Sequence, residues 1–250
     1  MNELSVRTGE RYEPLLRVFN SLHRRLGPRP AAPLPTVDPG LIATRRQAAE
    51  HPSDISDHLE TLYLQTVLAR PEVIVELGVR GGESTRVLLR AAATTDATLI
   101  SVDVEPAATV QHSDRWRFEQ ADSVEFGRSY PHYARANGLP ERVDVLFLDT
   151  SHLYDDTVAE LTVWLPLIRS GGVVLLHDTR MRLVYRRRDG SLGYGWDNER
   201  GVVGAVEHVL GGTIDETRAG SGSLGAGWFY AHDPFCSGLT ILRCPHGEGV

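Results

Sequence analysis

Cysteine is nearly absent from the chain. Two residues in 250, Cys236 and Cys244, are too few for a disulfide framework and lack the spacing of a zinc site. They read as incidental reduced thiols. An excess of basic charge is missing too. There are 26 Lys and Arg against 33 Asp and Glu, a formal charge of −7. Nothing global attracts polyanions, so neither nucleic acid nor a membrane surface is an expected partner. No apolar run approaches the about 20 residues that span a bilayer. The opening Met1-Asn2-Glu3-Leu4-Ser5 offers neither the basic nor the apolar region of a secretory leader. The expectation is a cytoplasmic protein.

What is present is the balance of an ordinary globular protein, 41% hydrophobic and 24% charged. The length suits one large domain, or one domain with an arm. Tyr12, Leu15, Leu16, Val18, Phe19, Leu22 and Leu26 recur at helical spacing, which predicts a helix within residues 1–26. Four prolines between Pro28 and Pro35 then impose an extended spacer. Residues 1–50 are expected to form a helical arm with a proline-rich linker, and residues 51–250 the main domain. The arm's apolar stripe must be covered, either by its own body or by a neighbouring subunit. A homo-oligomer with an exchanged arm is the expectation.

From residue 72 the pattern alternates. Short apolar runs at 73–77, 98–102, 116–120, 143–148 and 173–176 read as strands. Helices are predicted at 53–68, 84–93, 157–168 and 202–210. Further strands are expected near 213–217, 227–231 and 239–242. Strands alternating with helices predict an α/β fold: an open, mostly parallel, Rossmann-like sheet covered on both faces.

In such sheets ligands bind beyond the carboxyl ends of the strands. Here those ends carry Glu76, Asp103, Asp122, Asp149 and Asp178. Core packing alone does not place charges there. Gly78, Gly81 and Gly82 let the first turn approach a ligand closely. The turn is not Gly-x-Gly-x-x-Gly, which counts against an NAD-linked oxidoreductase, and it has no Gly-Lys-Ser/Thr of a phosphate-binding loop. Asp103 lies 27 residues after Glu76, where a carboxylate can take both hydroxyls of a ribose. Asp122 and Ser123 either cap a helix or meet an adenine edge, and the two roles are compatible.

The run Val73-Ile74-Val75-Glu76-Leu77-Gly78-Val79-Arg80-Gly81-Gly82-Glu83-Ser84-Thr85 resembles the first motif of class I S-adenosylmethionine-dependent methyltransferases. The segments 147–156, 164–172 and 176–179 are similar to the branch that holds macrocin O-methyltransferase-type sugar-methylating enzymes and the cephalosporin hydroxylase-like proteins. The resemblance covers roughly residues 53–210. It implies S-adenosyl-L-methionine as cofactor, with Glu76, Gly78, Gly82 and Ser84 at its methionine end, Asp103 on the ribose, and Asp122, Ser123 and Asp149 nearby. It also implies a divalent cation, usually Mg²⁺, on Asp149 and Asp178. Members of the branch often carry two carboxylates where this chain has His177-Asp178. His177 therefore either completes the ligand set or sits beside it, since imidazole suits a softer metal than Mg²⁺.

The implied reaction is methyl transfer to a hydroxyl of a sugar, nucleotide-linked or part of a glycosylated natural product, as in antibiotic biosynthesis. Such a hydroxyl needs a base or a metal at neutral pH. His152 is the expected base, and His177 the alternative. The stretch 179–200 is expected to form a lid over an anionic acceptor. Tyr154, Arg182, Arg186, Arg187, Arg188, Tyr194 and Trp196 are its candidate acceptor contacts. The different-class alternative is a non-catalytic S-adenosylmethionine-binding or assembly protein.

Overall fold

A computed structural model describes residues 9–26 and 38–246. The order of elements is α1 (Glu13–Leu26), α2 (Pro39–Glu50), α3 (Leu59–Ala69), β1 (Val73–Leu77), α4 (Glu83–Thr95), β2 (Thr98–Asp103), β3 (Trp116–Gln120), α5 (Ser123–Ala136), β4 (Val143–Leu148), α6 (Tyr154–Trp164), β5 (Ile168–His177), β6 (Val184–Arg186), β7 (Leu192–Tyr194), α7 (Gly201–Leu210), β8 (Gly220–Ser223), β9 (Phe229–Asp233) and β10 (Leu239–Arg243).

Eight strands form one sheet in the order β3-β2-β1-β4-β5-β10-β9-β8. The first five are parallel, and β10, β9 and β8 continue antiparallel. Strand order reverses between β1 and β4. That reversal opens a crevice at their carboxyl ends, where open α/β sheets take their ligands.

Residue alternation in the strands sends side chains to two covered faces. Val73, Val75, Leu77, Ile100 and Val102 pack with Phe126, Tyr130, Leu161, Trp164 and Val206 on one face. On the other, Ile74, Leu99, Val145 and Phe147 pack with Leu59, Leu62, Tyr63, Leu88 and Ala91. Every residue of β1 and β4 is buried, which is why these runs read as apolar apart from Glu76 and Asp144.

Several expectations need correction. Residues 213–217 form no strand. Asp215 accepts hydrogen bonds from the Thr217 amide and hydroxyl, so the chain turns there. The helix expected at 157–168 ends at Trp164; Pro166 stands in a short 3-10 turn and β5 begins at Ile168. The stretch 179–200 is not an open loop. It holds the β6–β7 hairpin, paired from Val184–Tyr194 to Arg186–Leu192.

The second half of the expected arm is helical rather than a linker. Residues 39–50 belong to the body as helix α2, capped by Asp38. Asp38 further accepts from Tyr63 Oη at 2.6 Å, and Gln47 donates to the Glu83 carbonyl at 3.0 Å. Helix α1 docks on its own chain. Asn20 exchanges two hydrogen bonds with the backbone of Leu192 in β7, and the Gly9 amide donates to the Gly195 carbonyl. Leu15, Val18 and Phe19 of the stripe are exposed. The proline-rich spacer expected at 27–35 lies outside the described residues. No helix among the described residues is long and apolar enough to cross a membrane.

Candidate active site at the strand ends

The tight approach of β1 to β4 sets the site. Gly78 has φ +89°, and a Cβ there would stand 2.2 Å from the Asp149 carbonyl oxygen. Only glycine allows this turn. A cavity of about 410 Å³ opens beside it. Val102, Val104, Ala121, Val124 and Ala159 give it apolar walls, and Asp103, Asp122, Ser123 and Asp149 give it polar groups.

Asp103 stands at the tip of β2. Its Oδ2 accepts from the amides of Val79 at 2.7 Å and Arg80 at 3.2 Å, and its Oδ1 from the Glu105 amide at 2.9 Å. The carboxylate thus fastens the β1–α4 turn while facing the cavity. Asp122 is the N-cap of α5, accepting from the Val124 and Glu125 amides at 2.9 Å. It lines the cavity as well. Ser123 donates to Glu160 at 2.5 Å and Thr150 donates to the same carboxylate at 2.9 Å. Burial pushes the Glu160 carboxyl above its usual range, and these two hydroxyls partly restrain it. Glu160, which no sequence motif singles out, ties two cavity-lining hydroxyls together.

Glu76 corrects an expectation. Its side chain does not line the cavity but lies fully buried beneath the turn. It accepts from Ser84 at 2.6 Å, Thr85 at 2.8 Å and Ser101 at 2.6 Å. Burial pushes its carboxyl up to about 7, against the pull of the three hydroxyls. Ser84 is accordingly spent on Glu76. Gly82 takes φ +71° at the start of α4.

On the far side of Gly78 lies a second, polar cavity of about 300 Å³, lined by Ser53, Asp54, Arg80, Glu83, Ser84 and Arg86, with Gly78 and Asp149 at the junction with the first. Burial first, then the neighbouring Asp178 and Asp149, raise the Asp54 carboxyl, which His177 opposes. Arg80 Nη1 stands 3.8 Å from it. Sequence reading missed Asp54, because the segment that carries it precedes the sheet and has no motif of its own.

Beyond Asp149 lies a compact cluster. His152 Nε2 sits 2.9 Å from Asp178 Oδ2, and its Nδ1 3.9 Å from Asp149 Oδ1. His177 Nδ1 lies 3.0 Å from Asp149 Oδ1 and 3.3 Å from Asp178 Oδ1. Ser237 Oγ donates to the Asp54 carbonyl at 3.1 Å, so His177 Nε2 can serve as donor to Ser237 Oγ, also at 3.1 Å. Burial alone would lower the His177 pKa, but Asp178 and Asp149 hold it well above its usual value. His152 is raised by the same balance, chiefly by Asp178. Burial would raise Asp178, yet the two imidazoles hold it well below the carboxylate range. Behind His177, the His58 ring is buried and pushed down to about 3, first by that burial and then by His177.

Asp149, His152 and Asp178 each offer a ligand atom, all within 4.8 Å of one another. His177, the third ligand expected from the sequence, is not in that set, where His152 stands instead. Two atoms of the trio are buried without a hydrogen-bond partner, His152 Nδ1 and Asp178 Oδ1. An ion would satisfy what the protein leaves open.

The expected lid is held down rather than poised. Arg187 is buried and donates to the Ser53 carbonyl at 2.9 Å, the Leu192 carbonyl at 3.1 Å and Tyr185 Oη at 3.2 Å. Arg188 pairs with Asp233, and Arg182 with Asp197 and Glu216. These three bind the protein itself. Arg186 and Tyr194 are exposed, and Trp196 lies 6.2 Å from the His152 ring. Tyr154 packs edge-on against His208. Arg187→Ala is expected to cost about 2 kcal/mol of stability, because it strands buried carbonyls, whereas Arg186→Ala should stay within about 0.5 kcal/mol. Thermal melts of the two variants check the contrast.

Residues 75–179 match the family model described as a methyltransferase domain. An O-methyltransferase from Bacillus cereus, solved with S-adenosylhomocysteine, is 14% identical, with a TM-score of 0.53 over 92% of this chain and 99% of that one. The O-methyltransferase TomG from Streptomyces achromogenes, involved in tomaymycin synthesis and solved with S-adenosylmethionine, is 18% identical, with a TM-score of 0.50 over 98% and 100%. The mycinamycin-pathway methyltransferase MycE, solved with Mg, S-adenosylhomocysteine and mycinamycin VI, is 19% identical with a TM-score of 0.44 over 57% of this chain; the chain spans only 38% of that protein's length. No curated protein matches the chain in sequence. The matched stretch begins in β1 and ends just past Asp178, so it encloses Gly78, Asp103 and the whole Asp149–Asp178 cluster, and over those residues the chain is similar to a methyltransferase domain and shares the fold of the O-methyltransferases.

Proposed function

We propose that the chain transfers the methyl group of S-adenosylmethionine to a hydroxyl of a sugar, nucleotide-linked or carried on a small molecule. The observation that carries the reading is the meeting of both cavities with the histidine–aspartate cluster at Asp149. The apolar cavity suits the adenosine, with Asp103 toward the ribose. The polar cavity suits the amino-acid end: Asp54 and Glu83 can face an ammonium, Arg80 and Arg86 a carboxylate. The sulfonium methyl then lies near Gly78, beside the cluster.

In the reaction the bond from sulfur to methyl breaks and a bond from methyl to the acceptor oxygen forms. The acceptor's proton leaves to the cluster, and S-adenosylhomocysteine departs neutral at sulfur. A divalent cation, when bound, would lower the pKa of the acceptor hydroxyl. The unsatisfied atoms of His152 and Asp178 fit such an ion. A second reading rests on the same bare His152 Nδ1: with no cation, His152 is the general base, oriented by Asp178. Trp196 supports a sugar, which stacks on aromatic rings, and Arg186 remains for an anionic tail.

Calorimetry with S-adenosylhomocysteine tests the cofactor. Binding should be measurable, and Asp54→Asn should weaken it about tenfold, the worth of one charge-assisted bond. No binding to the folded chain overturns the reading. A mass-shift screen with nucleotide sugars then tests the acceptor, and exhaustive chelation decides between cation and His152. Lost turnover with cofactor binding intact supports the cation, and full turnover gives the proton to His152.

A further inference from the structure

We infer that the strand-end cluster selects a borderline transition metal such as Mn²⁺ or Zn²⁺ over Mg²⁺, through His152 as a nitrogen donor. The inference rests on reading the cluster as the acceptor-activating end of the methyltransferase site.

Geometry carries it first. His152 Nε2 and Asp178 Oδ2 are 2.9 Å apart. That contact holds the ring against the carboxylate and leaves His152 Nδ1, 3.9 Å from Asp149 Oδ1, as the nitrogen that can ligate. Asp149 supplies the third atom within 4.8 Å. Burial carries it second. His152 is 8% exposed and its Nδ1 has no hydrogen-bond partner, while Asp178 is 2% exposed and its Oδ1 has only the His177 Nδ1 contact at 3.3 Å. Groups this deep are nearly always satisfied, and an ion is the partner that serves both at once.

Backbone conformation adds a third observation. His152 has φ +59° and Asp178 φ +55°. Side-chain-bearing residues rarely adopt this region, and such conformations persist where the surroundings over-determine them. Here they turn two residues of different loops toward each other.

Donor chemistry sets the selectivity. Mg²⁺ demands a near-ideal octahedron of oxygens, mostly waters and carboxylates. This trio is two carboxylates and one imidazole. His177 narrows the site further for a hard ion. Its ring stands beside Asp149 and Asp178, where another carboxylate would have supplied oxygen, and its Nδ1 faces both as an orienting neighbour. Imidazole with carboxylate suits the later first-row metals, and affinity in that series is lowest at Mn²⁺, peaks at Cu²⁺ and falls at Zn²⁺.

The test uses the full chain, stripped of metal, titrated calorimetrically with Mn²⁺, Zn²⁺ and Mg²⁺ separately and without cofactor. Mn²⁺ or Zn²⁺ should bind at least tenfold more tightly than Mg²⁺. Pulsed electron paramagnetic resonance of bound Mn²⁺ should show coupling to an imidazole nitrogen that is lost in His152→Gln and kept in His177→Gln. His152→Asp should narrow the gap with Mg²⁺ at least threefold. A preference below tenfold, no binding of either transition ion, or nitrogen coupling that survives His152→Gln overturns the inference. S-adenosylhomocysteine binding by the same metal-free protein is read separately, so a failed selectivity is distinguishable from a failed methyltransferase assignment.

Discussion

Replacing Asp103 with alanine is expected to weaken S-adenosylhomocysteine binding by about 1.5–3 kcal/mol, the worth of hydrogen bonds to a charged group. That is a loss of roughly ten- to more than hundredfold in affinity. Two effects add. The carboxylate faces the 410 Å³ cavity, where it would take ribose hydroxyls. It also accepts the Val79 and Arg80 amides, which fixes the turn that both cavities share. Asp103→Asn separates the two effects. The amide oxygen can still accept from the turn, but the charge is gone, so the Asn variant should lose less than the Ala variant. Calorimetry measures both, with thermal melts to show that each is folded. An alanine variant that binds as tightly as the parent would remove the adenosine from this cavity.

Why some of this was legible in the sequence follows from burial. Strands covered on both faces need apolar runs, so β1, β2 and β4 announce themselves. The residues where the β2 and β4 runs stop, Asp103 and Asp149, mark the rim of the site for the same reason. Short or one-sided elements carry no such signal. Among the residues of α2 only Thr44 and Gln47 are buried, so no apolar stripe betrays the helix. The β6–β7 strands have three residues each, and β8 is Gly-Ser-Gly-Ser at the sheet edge. The direction in which a side chain points is not written in spacing either. Glu76 reads as a cofactor ligand until three hydroxyls, two from the start of α4 and one from β2, are seen to enclose it. Arg187 reads as a lid cation until its guanidinium is found inside the hairpin. His152 and His177 were both visible as strand-end imidazoles. Which of them stands closest to both carboxylates depended on two positive-φ turns that no pattern predicts.

Glu76 gives the second large effect, a pH dependence of stability. Its carboxyl is raised to about 7 in the folded chain, against about 4.3 for an exposed Glu in the unfolded one. Between those values the unfolded chain is ionised at this position while the folded chain holds a proton. The folded state therefore binds more protons, and stability falls as pH rises through the window. A tenfold difference in acidity between the two states corresponds to about 1.4 kcal/mol. The chain should thus lose on the order of 2 kcal/mol between pH 5 and pH 7 at this one residue, and little more above pH 8, where both states are ionised. Glu76→Gln is neutral throughout. Its amide oxygen can accept from two of the Ser84, Thr85 and Ser101 hydroxyls, while its NH₂ donates to the third. The variant's melting temperature should fall less across pH 5–7 than the parent's, by roughly 4–8 °C for a chain of this size. Differential scanning calorimetry of the pair at pH 5, 6, 7 and 8 measures the difference directly and cancels the titration of His152 and His177, which both proteins share. Parallel curves would mean that the three hydroxyls hold Glu76 ionised at all these pH values, with the desolvation cost already offset by the bonds beneath the turn.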